Sequence, residues 1–219
     1  NTHWEWVENL YEGMWEAMQE FGGEIIGGDC SCGETKMISI TAIGEMKPPR
    51  LHRKNALPGD YIVSTGLHGL SRLGLALLTS EKLPSKVYLS PQLMQRAIDA
   101  HKRPSPAVKA LKALVESKPE STSWRAAGTD SSDGLIESIR GICQSSNCQA
   151  VLSKTSILKD PDWPKDCIWD EWILNGGEDY QLILTLPKEW AEALSKKLKS
   201  AKIIGFIKKG KPNIFWDNL

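Results

Sequence analysis

The sequence predicts an α+β or mixed α/β fold of layered helices and strands. Short runs rich in β-branched residues alternate with helical periodicities, but at no regular βαβ spacing. Glycine and proline clusters separate these runs. One aperiodic stretch, "KPPRLHRKNALPGD", holds three prolines and divides a short front part, 1–46, from a long back part, 47–219. At 219 residues the chain is long enough to bury a substantial core.

Each element has its own signal. Trp4, Val7, Leu10, Tyr11, Met14, Trp15, Met18 and Phe21 recur at spacings of one, three and four, which predicts an amphipathic helix over 4–21. Gly22-Gly23 ends it. "EII" then predicts a short strand stopping at Gly27-Gly28-Asp29, and "KMISITAIGEM" predicts a second strand reaching Met46. After the proline-rich break, "YIVSTGLHGLSRLGLALL" reads as strand, glycine turn and helix. Helices follow over 91–101 and 106–117, split by "KRPSP". "WRAAGTDSSDGLIESIRGIC" predicts a short strand, a polar turn and a helix from about Asp133. "CQAVLS" and "YQLILTL" predict strands, "PKEWAEALSKKL" a helix, and "AKIIGFIK" a last long strand.

Bulk composition narrows the function classes. Lysine plus arginine equals aspartate plus glutamate at 27 each, so no net field favours nucleic acid. No apolar run approaches the roughly 18 residues of a membrane span, and no signal peptide opens the chain. The five cysteines are odd in number and irregularly spaced, which predicts reduced thiols in a cytoplasmic protein. Cys30 and Cys32 have no companion pair at metal-ligand spacing, so they are read as free thiols rather than a zinc site. The chain opens in mid-helix, which predicts that it is the back part of a longer protein.

Three segments put acids behind apolar residues and small turn residues: "IIGGD" (Asp29), "TDSSDG" (Asp130, Ser132, Asp133) and "LNGGED" (Glu178, Asp179). Each is read as a strand end followed by a turn. Taken singly, Asp133 or its serine neighbours would suit a helix cap and Asp29 a glycine turn. Glu178 and Asp179, adjacent acids behind two glycines, serve no common turn. Clustered acids are costly without a cation between them. Magnesium fits best, because it takes hard oxygen ligands from one or two carboxylates and from substrate phosphates. No G-x-x-x-x-G-K-[ST] loop is present, so a nucleotide would be held through metal and through cations such as Arg53.

At these residues the chain resembles the thiamine-monophosphate kinase family, in the superfamily of aminoimidazole ribonucleotide synthetase. "IIGGD", "ISITAIGE", "ALPGDYIVSTG", "GLALL", "RPSP", "D-x-S-D-G-L" and "GGEDYQL" occur in the family's order over about residues 10–216. The resemblance implies a PurM-like fold. Residues 1–46 would be the tail of an N-terminal ATP-binding and dimerisation domain, and 47–219 the C-terminal domain. It implies phosphorylation of thiamine monophosphate to thiamine diphosphate by ATP and Mg2+ in a homodimer, with no catalytic side chain singled out. Tyr11, Gly28, Asp29, Arg53 and Ser132 would contact ATP. Asp29, Asp130 and Asp133 would hold magnesium, and Glu178 would face the cationic thiamine ring while Asp179 braces the turn. An acid-rich N-terminal segment with further magnesium ligands would lie outside this chain. Two alternatives stand beside this reading: a non-catalytic nucleotide-binding or dimerisation fragment, and a purine, hydrogenase-maturation or selenium branch of the superfamily.

Overall fold

The structure, a computed structural model, describes residues 2–46 and 50–217. They fall into two compact units, 1–47 and 48–219.

The first unit contains helix α1, Trp4–Phe21, over the range its periodicity predicts. Its last turn closes through the Gly22 amide donating to the Met18 carbonyl. None of its residues is buried, and Trp4 and Trp15 are exposed. The strands expected over 24–26 and 36–46 do not form. A strand exists only when a neighbour takes up its backbone hydrogen bonds, and these segments have no such neighbour among the described residues. Ile26, Met37 and Ile43 accordingly lie open to solvent.

The second unit is a six-stranded sheet with helices on both faces. Its strands are β1 (Tyr61–Ser64), β2 (Ala127–Asp130), β3 (Cys148–Leu152), β4 (Leu182–Leu186), β5 (Lys202–Lys209) and β6 (Asn213–Trp216). Spatial order is β2-β4-β1-β5-β3-β6, antiparallel throughout except for the parallel pair β3 and β6. β6 was not anticipated from sequence; the four residues "NIFW" alternate only weakly and lie at an edge. Helices α2 (Leu70–Leu78), α3 (Pro91–Lys102), α4 (Val108–Glu116), α5 (Leu135–Ser146), α6 (Asp170–Asn175) and α7 (Lys188–Lys197) complete the unit.

Strand alternation divides the core into two layers. On one face Ile62, Ala127, Ile183, Ile204 and Ile207 pack against Leu135, Ile139 and Ile142 of α5. On the other, Val63, Leu184 and Leu186 pack against Leu114 of α4 and Trp190, Ala191 and Leu194 of α7. A third cluster joins Leu73, Leu93 and Ala97 of α2 and α3 to Trp163, Trp169 and Ile173. α3 is set by Ser90, whose hydroxyl accepts from the Leu93 amide, with Pro91 in the first turn. The aspartate of "ALPGDY", Asp60, is buried: it accepts both arms of Arg125 at 2.7 and 2.9 Å and the Leu57 amide at 2.9 Å.

The sheet order decides where the site lies. β2 and β1 both run antiparallel to β4, with Asp130 opposite Leu182 and Ser64 opposite Ile183. The carboxyl ends of β1 and β2 therefore share an edge with the entry to β4. Loops 65–69, 131–134 and 176–181 meet there.

Candidate functional site

The third acidic segment departs from the strand-end pattern read in the sequence. "LNGGED" follows helix α6, and β4 begins only at Leu182. The two glycines have a steric reason. Gly177 has φ +70°, and a Cβ there would lie 2.7 Å from the Ser132 carbonyl oxygen. A Cβ on Gly176 would lie 2.7 Å from Arg72 Cβ. The loop is thus pressed onto the 131–134 turn, where the Glu178 amide donates to the Ser132 carbonyl at 2.8 Å. The Gln181 amide donates to Ser131 Oγ at 3.0 Å and the Leu182 amide to Thr65 Oγ1 at 2.9 Å. Glu178 and Tyr180, at φ 58° and 50°, occupy the left-handed region that non-glycine residues enter at a cost. The surrounding hydrogen bonds hold them in it.

The two adjacent acids do different work. Asp179 turns inward, and its carboxylate accepts from the Gly69 amide at 2.8 Å and the Ser71 amide at 3.2 Å, capping α2. Burial pushes its carboxyl up to about 6; the two amides oppose that shift, and neighbouring Glu178 adds to it. Glu178 turns outward, with His101 Nδ1 at 3.5 Å from its Oε2.

Asp130 ends β2 and Asp133 lies in the following turn; both are exposed, and Ser132 is half-buried. Asp133 does not cap α5, whose N-cap is Gly134 with no side-chain bond. Both carboxylates are without an ion pair among the described residues. Arg53 opens a 3₁₀ turn, Arg53–Asn55, fixed by the Ser146 hydroxyl donating to the Arg53 carbonyl at 2.7 Å. Its Nε and Nη2 donate to Thr129 Oγ1 at 3.1 and 2.9 Å, and that hydroxyl donates to Asp130 Oδ1 at 3.2 Å. Arg53, Asp130, Ser132, Asp133 and Glu178 are therefore brought to one edge of the sheet.

Tyr11, Gly28 and Asp29 belong to the first unit. A Cβ on Gly28 would lie 3.4 Å from the Tyr11 hydroxyl, so these two are neighbours there. Asp29 is exposed. Among the described residues no three His, Cys, Asp or Glu side chains converge on one point to hold a metal. Sequence reasoning missed Thr129, Ser71 and His101, and read Ser131 only as a possible helix cap, whereas its hydroxyl accepts from the Gln181 amide. Ser71 and His101 meet only through the packing of α2 on α3, which leaves no local signal. Nearby His68 is buried and held neutral, its imidazole lowered to about 4 by burial against an opposing hydrogen bond with Gly66.

Residues 1–46 match the family AIR synthase related protein, N-terminal domain. Thiamine-monophosphate kinase of Prochlorococcus marinus is 46% identical over 218 residues, 100% of this chain and 66% of the relative. The chain is similar along its whole length to thiamine-monophosphate kinases.

The fold is shared with solved thiamine-monophosphate kinases. The crystal structure of thiamine monophosphate kinase from Aquifex aeolicus superposes with a TM-score of 0.74 at 26% identity, covering 99% of this chain and 69% of that one. A structure described as AaThiL complexed with AMPPCP and TMP gives the same TM-score, 0.74, at 26% identity, over 100% of this chain and 67% of that one. The fold is thus PurM-like, with a mixed sheet and helices on both faces. The chain spans 66%, 61% and 62% of the length of the thiamine-monophosphate kinases of Prochlorococcus marinus, Synechococcus elongatus and Bacillus subtilis. No helix among the described residues is long and apolar enough to cross a membrane.

Proposed function

We propose that the chain supplies the nucleotide- and thiamine-binding elements of a kinase that transfers the γ-phosphoryl of ATP to thiamine monophosphate, giving thiamine diphosphate. One observation carries the reading. The loop of Glu178 is locked onto the turn of Ser132, so a carboxylate suited to a cationic ring stands beside the acids suited to magnesium. The names of the relatives, and the nucleotide analogue and TMP bound in a neighbour of the same fold, support it.

Phosphoryl transfer depends chiefly on positioning and charge neutralisation. Asp130 and Asp133 fit a hard divalent cation: they are exposed oxygen donors, too few to cage a metal alone and so suited to sharing it with phosphates, and Asp29 is an exposed oxygen donor of the first unit by itself. Bound Mg2+ would supply charge neutralisation across the two phosphates. Arg53 offers its guanidinium to phosphate from a fixed platform, since Thr129 holds two of its nitrogens. Ser132 presents its hydroxyl from the turn between the two acids, and Tyr11 and Gly28 together shape the nucleotide contact in the first unit. Glu178 faces the thiazolium. In this reading residues 1–46 belong to an ATP-binding and dimerisation domain and 47–219 to the C-terminal domain, and two copies pair.

Calorimetry of ATP binding with and without Mg2+ tests the proposal. Asp130→Asn and Asp133→Asn should each weaken Mg-ATP binding more than about tenfold with little change in folding, the size expected when a metal ligand is lost. Unchanged affinity in both variants would remove these acids from the site. A coupled assay for thiamine diphosphate checks the overall reaction.

A further inference from the structure

Glu178 has a long, flexible side chain that is 54% exposed, so its backbone position alone does not aim its carboxylate. The imidazole of His101 lies within its reach, with Nδ1 3.5 Å from Oε2. His101 is far better fixed than Glu178. It sits in the last turn of α3, and its side chain is 22% exposed. α3 lies close to α2 because Gly74 has no side chain; a Cβ there would fall 2.8 Å from His101 Cβ. The same Nδ1 is 3.0 Å from the hydroxyl of Ser71. Ser71 in turn is buried in the first turn of α2, its amide donating to Asp179 Oδ1 at 3.2 Å.

These contacts close on themselves. Glu178 meets His101, His101 meets Ser71, Ser71 meets Asp179, and Asp179 is the next residue after Glu178. Two acids behind paired glycines thus hold both ends of one circuit. Asp179 anchors α2 to the loop, and α2 carries the serine that orients the imidazole aimed back at Glu178.

We propose that His101 is a positioning residue, whose Nδ1–H holds the Glu178 carboxylate in the orientation that receives the cationic ring of the substrate. The proposal rests on the reading of Glu178 as the thiamine contact. The carboxylate can only accept and Ser71 Oγ is able to accept, so a proton on Nδ1, shared between them, suits both neighbours. A glutamate ordered beforehand loses less side-chain freedom when the ring binds, and that freedom is otherwise charged against affinity. His101 touches neither phosphate in this arrangement. Its effect belongs to thiamine monophosphate and not to ATP.

Steady-state kinetics and calorimetry on the full chain test this. His101→Ala should raise the KM and Kd for thiamine monophosphate about fivefold, the scale of ordering one flexible side chain, and leave the KM for ATP unchanged. His101→Asn places an amide N–H near the position of Nδ1 and should recover most of the lost affinity. In a Glu178→Gln background, His101→Ala should add no further loss, because the partner it orients is already neutral. Equal losses for both substrates, or the same fivefold loss in the Glu178→Gln background, would make His101 a packing residue and overturn the proposal while leaving Glu178 its role. A Glu178→Gln variant with unchanged affinity for thiamine monophosphate would overturn the role of Glu178 itself, and this proposal with it. His101→Asn folds the circuit with a smaller side chain, so loss of folding in His101→Ala still leaves the comparison with Glu178→Gln decisive.

Discussion

The carboxylate of Asp179 receives the backbone amide of Gly69 at 2.8 Å, across 110 residues of sequence. Gly69 is the N-cap of α2 and has no side chain with which to cap it. An acid from the 176–181 loop does so instead, and it is buried in the process. Burial makes the charged form costly while the helix N-terminus favours it. Burial dominates, and the carboxyl titrates near 6.

That balance predicts a pH dependence of stability. The folded state binds this proton more tightly than the unfolded chain, so the contribution is full below about pH 4 and is lost as pH rises through about 6. Asp179→Asn does not titrate. Urea unfolding at several pH values between about 4 and 7 should therefore show wild type losing stability relative to the variant as pH rises. A constant difference across that window would show that Asp179 keeps one protonation state throughout it.

Arg53 should show the value of a fork over a point charge. Two of its nitrogens are engaged by Thr129 Oγ1, which fixes the plane of the guanidinium beside Asp130. Arg53→Lys retains the charge and loses that plane. ATP affinity should fall severalfold while the thermal midpoint shifts little, since the residue is exposed. Lysine binding ATP as well as arginine would show that only charge matters there.

Two glycines should respond to alanine with opposite signs. At Gly177 φ is +70° and a Cβ would crowd the Ser132 carbonyl oxygen at 2.7 Å, so Gly177→Ala should cost about 2 kcal/mol or more and weaken thiamine monophosphate binding. At Gly13, inside α1, nothing lies within 4 Å of the added Cβ. Gly13→Ala should raise helix content, with a gain of about 0.5–1 kcal/mol. Denaturant titration for the first and far-ultraviolet circular dichroism for the second check the pair.

The cysteines should divide by burial. Cys30, Cys32 and Cys167 are free and exposed, whereas Cys143 and Cys148 are free and buried. Burial pushes the Cys143 thiol up to about 12 and raises that of Cys148, which suppresses the reactive thiolate in both. A thiol reagent should label three residues quickly in the native protein and all five after unfolding. Fast labelling of Cys143 in folded protein would place it outside the core.

Much of this protein was decided locally and is therefore legible in the chain itself. Helix α1 follows from apolar spacing, α3 from Ser90 and Pro91, and the alternation of Ile62 with Val63 and of Ile183 with Leu184 assigns those residues to opposite faces of the sheet. The acidic turns and their glycines were legible as chemistry because adjacent carboxylates and bare backbone are costly without a purpose. Pairing was another matter. "EII" and "KMISITAIGEM" have strand composition yet form no strand, because composition does not supply a neighbour for the backbone. The short edge strand β6 forms from four weakly patterned residues because β3 lies beside it. The division of labour between Glu178 and Asp179 was likewise decided by tertiary structure. Their side chains share one local sequence, but only the approach of α2 and α3 determines which acid is buried under the Gly69 amide and which meets His101. Such contacts depend on distance in space between residues remote in the chain, and no local preference encodes that distance.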